Sequence, residues 1–394
     1  MNIRNLVPAL AIVTLTSTAG FAADTAPAVT FSGWVDTVLQ FSDDDASDSA
    51  TTGKDDAAGS LRFSGAASLK AAWNVTDKVS VKANLWFDPG SNAANLREAY
   101  FTWAFNDSLS WSMGKYINHL GWISIEPTGP TYLFINADTI GYRQVYGNDV
   151  LGTALGFGPK DSPFSGAIHI TNGYFTQSDA SSVNYNTPST ISENRENSDL
   201  GFGLDLTYKL PNELGSINAE LAYDMHSGDT ANLGGPTPAT TPDDLGGDVM
   251  LVGINATIKP VKIVTLGAEL QYLTVGEAET NLGVQQNNGI DRMQFLLLGN
   301  VQIEAAPVPM SVSGLVQYVS ISGNADRSVV AGVNNDDENR LYVGVALLTN
   351  PVTNSNFGLN YEVGYFDTTG VDGISGADGE NNGITIAVEG LLSF

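Results

Sequence analysis

The sequence predicts an all-β chain folded as an antiparallel up-and-down barrel of about 16 strands. Three observations predict it. Polarity alternates with a period of two along most of the chain, and the connections between alternating stretches are by turns short and long. The third is composition: of 394 residues, 42% are hydrophobic and only 15% charged, with 42 Gly, no Cys and a formal net charge of -26. That acidity excludes a binder that neutralises phosphates, so no nucleic-acid partner is expected. Without cysteine there is no disulfide scaffold and no thiolate metal site. Large apolar residues recur throughout, which argues against a disordered chain.

The elements follow in chain order. Residues 1–22 read as an export signal: Arg4 supplies the positive start, Leu6 to Ala19 a short apolar stretch, and Gly20-Phe21-Ala22 the small residues that a signal peptidase reads. Cleavage is expected after Ala22, leaving 23–394 as the barrel. In 61–75, Leu61, Phe63, Ala67, Leu69, Ala71 and Trp73 share one face, while Arg62, Ser64, Ser68, Lys70 and Asn74 share the other. Side chains that alternate in this way mark a strand. The same pattern returns at 198–210, 216–226, 262–275, 290–304, 309–322, 355–366 and 383–394.

Short connections are expected at Asn74 to Lys78, Asn106 to Ser108, Pro211 to Gly215, around Pro260, at Ala306 to Pro309 and at Asn350 to Asn354. Long ones are expected at 43–59, 88–95, 117–138, 176–197, 227–246, 276–289, 323–338 and 367–382, all rich in Asp, Asn, Gly, Ser and Thr. Sorting by length gives a meander with one smooth end and one elaborate end. A count with 139–147 and 150–158 taken apart yields an odd number, and both segments run in the same direction. They are therefore read as one strand with a bulge near Gly147 to Asp149.

Polarity then decides what each face meets. Arg62, Lys70, Lys82, Glu98, Asp205, Glu220, Asp224, Glu269, Glu304, Glu362 and Glu389 all fall opposite the apolar row, often beside small residues. A sparse, small polar face suits the water-filled inside of a large transmembrane barrel, with short periplasmic turns and long extracellular loops. The apolar row then faces lipid, where only a closed sheet leaves no backbone group unsatisfied. Arg97 and Lys115 break the parity, both toward the loop side. Trp73, Phe105 and Tyr208 beside short turns, and Trp86, Phe87 and Trp111 near strand ends, read as interfacial girdles.

The last stretch, Ile384 to Phe394, alternates and ends on Phe. With the export signal and the meander, it resembles the outer-membrane porins of Gram-negative bacteria. The segments Leu96-Arg97-Glu98-Ala99-Tyr100-Phe101-Thr102-Trp103, Gly114-Lys115-Tyr116 and Leu120-Gly121-Trp122 are similar to the OmpL-like family of β-barrel porins. The resemblance implies an outer-membrane location among lipid and lipopolysaccharide, recognition of the Phe394 strand by the barrel assembly machinery, and the homotrimer that such porins often form.

It also implies passive diffusion of small hydrophilic solutes and ions through the lumen. In general diffusion porins the connection placed like 117–138 folds inward as a constriction. Here that segment is too apolar for a freely solvated loop, and packing over the rim or into a subunit interface is the alternative. Folded inward, Glu126 and Asp138 would face Arg62, Lys82, Arg97 and Arg143 across the narrowest point, with weak cation preference. A sugar-selective channel with an aromatic track of Tyr116, Trp122, Tyr132, Phe134, Tyr142 and Tyr146 stays open, as does a structural or adhesive barrel with a sealed lumen. No enzyme is expected: the imidazoles are His119, His169 and His226, and neither Gly-x-Ser-x-Gly nor His-Glu-x-x-His occurs. His169 and His226 read as ordinary polar residues of lumen or rim. The runs Asp43-Asp44-Asp45, Asp55-Asp56, Asp243-Asp244 and Asp336-Asp337-Glu338 read as solvated loop charge, so neither metal nor cofactor is expected.

Overall fold

The computed structural model describes residues 29–46, 58–88, 93–122, 149–159, 161–175, 200–225, 248–275, 278–279, 285–287, 290–322, 338–352, 355–372 and 378–394. The export signal, the 139–148 stretch with its expected bulge, and most of the long loops lie outside these residues. The strands in chain order are β1 Val29–Ala46, β2 Ala58–Asn74, β3 Val79–Asp88, β4 Ala93–Asn106, β5 Leu109–Ile117, β6 Asp149–Phe157, β7 Phe164–Thr171, β8 Leu200–Leu210 and β9 Gly215–Met225. They continue with β10 Val249–Val261, β11 Val264–Val275, β12 Ala278–Glu279, β13 Gln285–Asn287, β14 Ile290–Gln302, β15 Met310–Ser322, β16 Glu338–Thr349, β17 Phe357–Asp372 and β18 Asp378–Ser393. The chain thus forms a closed 16-stranded antiparallel up-and-down barrel, with β12 and β13 paired to each other outside it.

Each barrel strand pairs with its neighbours in sequence, and β1 closes the ring against β18 from Trp34↔Ser393 to Ala46↔Asn381. At the smooth end, β4 turns into β5 through Asp107-Ser108, and β10 into β11 through Lys262-Ile263. Strand extends into the expected loops 88–95 and 367–382: β4 begins at Ala93, and β17 and β18 run to Asp372 and from Asp378, with 89–92 and 373–377 outside the described residues. Ladder pairing with a neighbour outweighs the weak strand preference of their Asp, Asn and Gly.

Orientation follows the alternation. Leu266 is 46% exposed while Glu269, three residues on, is 4% exposed. Leu61, Phe63, Val345, Val363, Ile384 and Ile386 are likewise exposed on the outside, whereas Glu98, Glu220, Asp224, Glu362 and Glu389 are buried within. Pairs such as Val345↔Val363 and Val363↔Ile386 lie side by side on the outer face. A closed outer belt of this kind satisfies every ladder group without water.

Three placements differ from expectation. Glu304 lies in the exposed turn after β14, not on a strand. Trp86 shares parity with Lys82 and points inward, where it meets Trp34 edge-on at 5.1 Å between centroids. The inner face of β14–β16 is partly apolar too, because Leu296-Leu297-Leu298 puts leucine on both sides of the wall, beside buried Gln294, Asn300 and Gln317. Leu296, Leu298, Leu315, Val319, Tyr342, Ala346 and Phe366 form one buried inner cluster, with Trp122 packed against it.

Candidate functional site

The wall of the lumen is built from the inward parity of the strands, and its polar groups form ladders across neighbouring registers. On β2–β4, Ser68 donates to Asn84 at 2.7 Å, Asn84 donates to Glu98 at 3.0 Å, and Lys82 Nζ reaches Glu98 at 2.9 Å. The Lys82 charge is thereby balanced on the wall itself. Arg62, near the loop end, donates to Gln40 at 3.0 Å and remains exposed at the mouth.

Arg97 occupies the extra position where the β3–β4 register shifts between Asn84 and Leu85. The bulge turns it inward, its guanidinium 4.7 Å from the centre of the Trp86 ring. Its Nη1 lies 3.0 Å from Asp149, and Lys115 Nζ lies 3.0 Å from the other oxygen of the same carboxylate. The two cations that break the strand parity therefore share one buried acid, which removes most of the cost of their position. Sequence spacing gives no sign of this, since Asp149 is 52 residues from Arg97.

The described start of the inward candidate, residues 118–122, leaves β5 and reaches β9, β10 and β11, four to six strands further round the ring. Asn118 caps its first turn by accepting from Leu120 N–H at 3.1 Å. Gly121 takes φ 81, the left-handed region that favours glycine, and donates its N–H to Glu220 at 2.8 Å. Trp122 donates its backbone N–H to Glu269 at 2.5 Å and its indole N–H to Thr257 at 2.9 Å. The ring lies against Gly267, where a Cβ would collide with it. Gln271 ties the two carboxylates together, donating to Glu220 at 2.7 Å and to Glu269 at 3.1 Å, and Gln294 and Arg292 extend the network along β14.

A second inward segment, 172–175, follows β7. Tyr174 and Phe175 donate their N–H groups to Asp224 at 2.7 and 2.9 Å. With Leu120, Tyr116, Val150, Ala222, Leu251 and Leu273 they make a second buried inner cluster. Between the two segments His119 stacks on His169, 4.0 Å between ring centroids at 11°. His169 Nε2 lies 2.6 Å from Asp205, and its Nδ1 lies 3.2 Å from the Tyr116 hydroxyl. Burial first, and then the neighbouring His169, hold the His119 imidazole below its ordinary pKa and so keep it neutral.

Of the residues singled out from sequence, Arg62, Lys82, Arg97 and Trp122 face the lumen side of the wall. Glu126, Tyr132, Asp138 and Arg143 lie outside the described residues, as do Phe134, Tyr142, Tyr146 and His226. Trp122 and Tyr116 are packed against protein, not presented as an open track. Sequence reasoning named Glu220 and Glu269 as lumen residues but not as anchors of an inward segment. Their even spacing along alternating strands was the available signal, and their partner was not encoded nearby.

No family model and no curated protein matches this sequence. Solved structures do. The chain is similar to the outer membrane channel DcaP of Acinetobacter baumannii, at 13% identity over 95% of this chain and 100% of that one, with a TM-score of 0.59. It is similar to an anion-selective porin from Comamonas acidovorans, at 12% identity over 94% and 100%, with a TM-score of 0.56. It is also similar to the trimer form of OmpT, an outer membrane protein of Vibrio cholerae, at 14% identity over 94% and 100%, with a TM-score of 0.52. At these identities the likeness establishes architecture, and the chain has the closed 16-stranded barrel fold of outer-membrane porins.

Proposed function

We propose that this chain is an outer-membrane porin, a passive diffusion channel for small hydrophilic solutes and ions with weak cation preference. The carrying observation is the orientation of the wall: ionisable side chains enclosed, apolar side chains turned out over the whole ring. Only a lipid surroundings and an aqueous inside make that arrangement favourable. Among the described strand residues the inward carboxylates Asp36, Glu98, Asp205, Glu220, Asp224, Glu269, Glu362 and Glu389 narrowly outnumber the inward cations Arg62, Lys70, Lys82, Arg97, Lys209, Arg292 and Arg340. That excess supports cation preference. The Comamonas porin is anion-selective on the same architecture, so wall charge and not the barrel sets the sign.

In this reading the segment 117–138 is the constriction, with Glu126 and Asp138 set against Arg62, Lys82, Arg97 and Arg143. Its support is the inward course of 118–122 and the anchoring of Gly121 and Trp122 on β9–β11. Export through residues 1–22, kinship with the OmpL-like porins, contact with lipid and lipopolysaccharide, delivery to the assembly machinery through Phe394, and a homotrimer belong to the same reading. The trimer form of the Vibrio protein is consistent with the last of these. Reconstituted in planar bilayers, the protein is expected to give stepwise conductance with a reversal potential on the cation side. Glu126→Gln together with Asp138→Asn is expected to move that potential toward zero. Membranes that stay silent at all voltages would refute the channel and favour a sealed structural barrel, whereas block by dilute oligosaccharide would favour a sugar channel.

A further inference from the structure

We propose that His119, His169 and Asp205 form a binding site for one divalent cation of the zinc class on the inner wall of the barrel. Among the described residues this is the one group of three side chains whose potential ligand atoms gather, all lying within 4.8 Å of one another. Two imidazole nitrogens and one carboxylate oxygen suit Zn2+, Ni2+ or Cu2+, whereas Ca2+ and Mg2+ require oxygen ligands. The proposal goes beyond solute diffusion and does not depend on it.

The surroundings are those of a built site. Among the described residues both ring nitrogens of His119 are buried without a hydrogen-bond partner, which is costly for a polar group unless something else satisfies it. His169 is oriented from behind: with Nε2 turned to the site beside Asp205, its Nδ1–H can donate to the Tyr116 hydroxyl at 3.2 Å. This is the outer hydrogen bond that fixes the tautomer of a metal-bound imidazole. Room for His119 comes from Gly203 on β8, where a Cβ would lie 3.2 Å from the imidazole Cε1 and collide with the Tyr174 hydroxyl.

Tetrahedral zinc ligands stand about 3.3 Å apart, as bond lengths near 2.0–2.1 Å require. His169 Nε2 and Asp205, 2.6 Å apart, must therefore open by roughly 0.7 Å, while the His119 donor closes in by at most roughly 1.5 Å. His169 and Asp205 are held on adjacent strands, β7 and β8, while His119 lies outside any strand on 118–122. Rotation of that one side chain out of its stack supplies most of the movement. Occupancy would then fasten the start of the inward segment to the β7–β8 wall, in addition to its hold on β9–β11.

The test uses tag-free, chelator-stripped protein in detergent micelles, titrated with CoCl2 and ZnCl2. The expected result is one saturable equivalent per chain, with the visible absorption bands of four-coordinate Co2+ that Zn2+ abolishes and Mg2+ does not. Affinity is expected to fall at least tenfold in His119→Ala and in Asp205→Asn, tenfold to a hundredfold in Tyr116→Phe, and not at all in His226→Ala. Because His119 lies outside the sheet, His119→Ala tests the site even should Asp205→Asn fail to fold, as judged by heat-modifiable gel mobility. Equal affinity in wild type and His119→Ala, loss only in His226→Ala, or no saturable binding would overturn the proposal. Bilayer conductance in metal-free buffer is a separate measurement, so failure of the site and failure of the porin reading are distinguishable.

Discussion

Glu220→Gln isolates the hold that β9 keeps on the inward segment. In the native wall both carboxylate oxygens of Glu220 accept, one from Gly121 N–H at 2.8 Å and the other from Gln271 at 2.7 Å. The amide has the same shape but only one accepting oxygen, so its NH2 must face one of those two donors. One hydrogen bond to a charged group is therefore lost, worth about 1.5–3 kcal/mol. If the released state is reached by local opening, its population rises by roughly tenfold to a little over a hundredfold. The chain contains no cysteine, so Leu120→Cys introduces its sole thiol at a buried position beside the anchor. Labelling by a water-soluble maleimide, in the regime where reclosing outruns reaction, reads that population directly. Labelling of Leu120→Cys is expected to accelerate by one to two orders of magnitude when Glu220→Gln is added. Rates within twofold of each other would refute the assignment of Glu220 as an anchor.

Gly267→Ala places a Cβ against the Trp122 ring and is expected to cost about 1–3 kcal/mol, as overpacking does. Trp122→Ala in the same chain should relieve it, so a double-mutant cycle in urea is expected to show coupling, and simple additivity would contradict the contact. Asp149→Asn leaves Arg97 and Lys115 facing a neutral amide. Since both cations are partly exposed, the expected loss is about 2 kcal/mol, below the 3–5 of a fully buried pair, read as a lower urea midpoint. Leu297→Arg on the outer face is expected to destabilise the folded barrel in lipid bilayers by about 2–4 kcal/mol if the residue lies at mid-depth, and an unchanged midpoint would contradict a lipid-facing Leu297.

Much of the barrel was legible because a period-two pattern with one greasy face has few other solutions. Leu204, Asp205 and Leu206 alternate as the wall does; the reading of 139–147 and 150–158 as one strand lies, for 139–148, outside the described residues. Trp86 was misread from its place near a strand end, although its parity with Lys82 already pointed inward. Leu296-Leu297-Leu298 concealed an apolar inner wall, because a run without alternation does not say which face it serves. Arg97 and Lys115 were visible as parity breaks, but their shared partner Asp149 was not, since a carboxylate across a long connection leaves no local trace. His119, His169 and Asp205 likewise sit on three separate elements, and only closure of the sheet brings them together. The flanks of the polar stretches 88–95 and 367–382 read as loop because propensity says nothing about which neighbour will offer a ladder.

The seam of the ring joins the two ends of the chain: Gly33 N–H donates to Phe394 O at 2.9 Å, and Phe394 N–H returns to Gly33 O at 3.0 Å. A Cβ at Gly33 would strike Ser68 O and the Phe394 ring, so the seam at this spot is shaped for that aromatic. This pairing carries nearly the longest loop-closure entropy the polypeptide can incur. Until it forms, two raw sheet borders with unsatisfied amides remain open to any stray strand. Pairing of β1 with β18 is what removes both borders. A molecule shortened by even its final strand would be an adhesive ribbon, not a smaller pore.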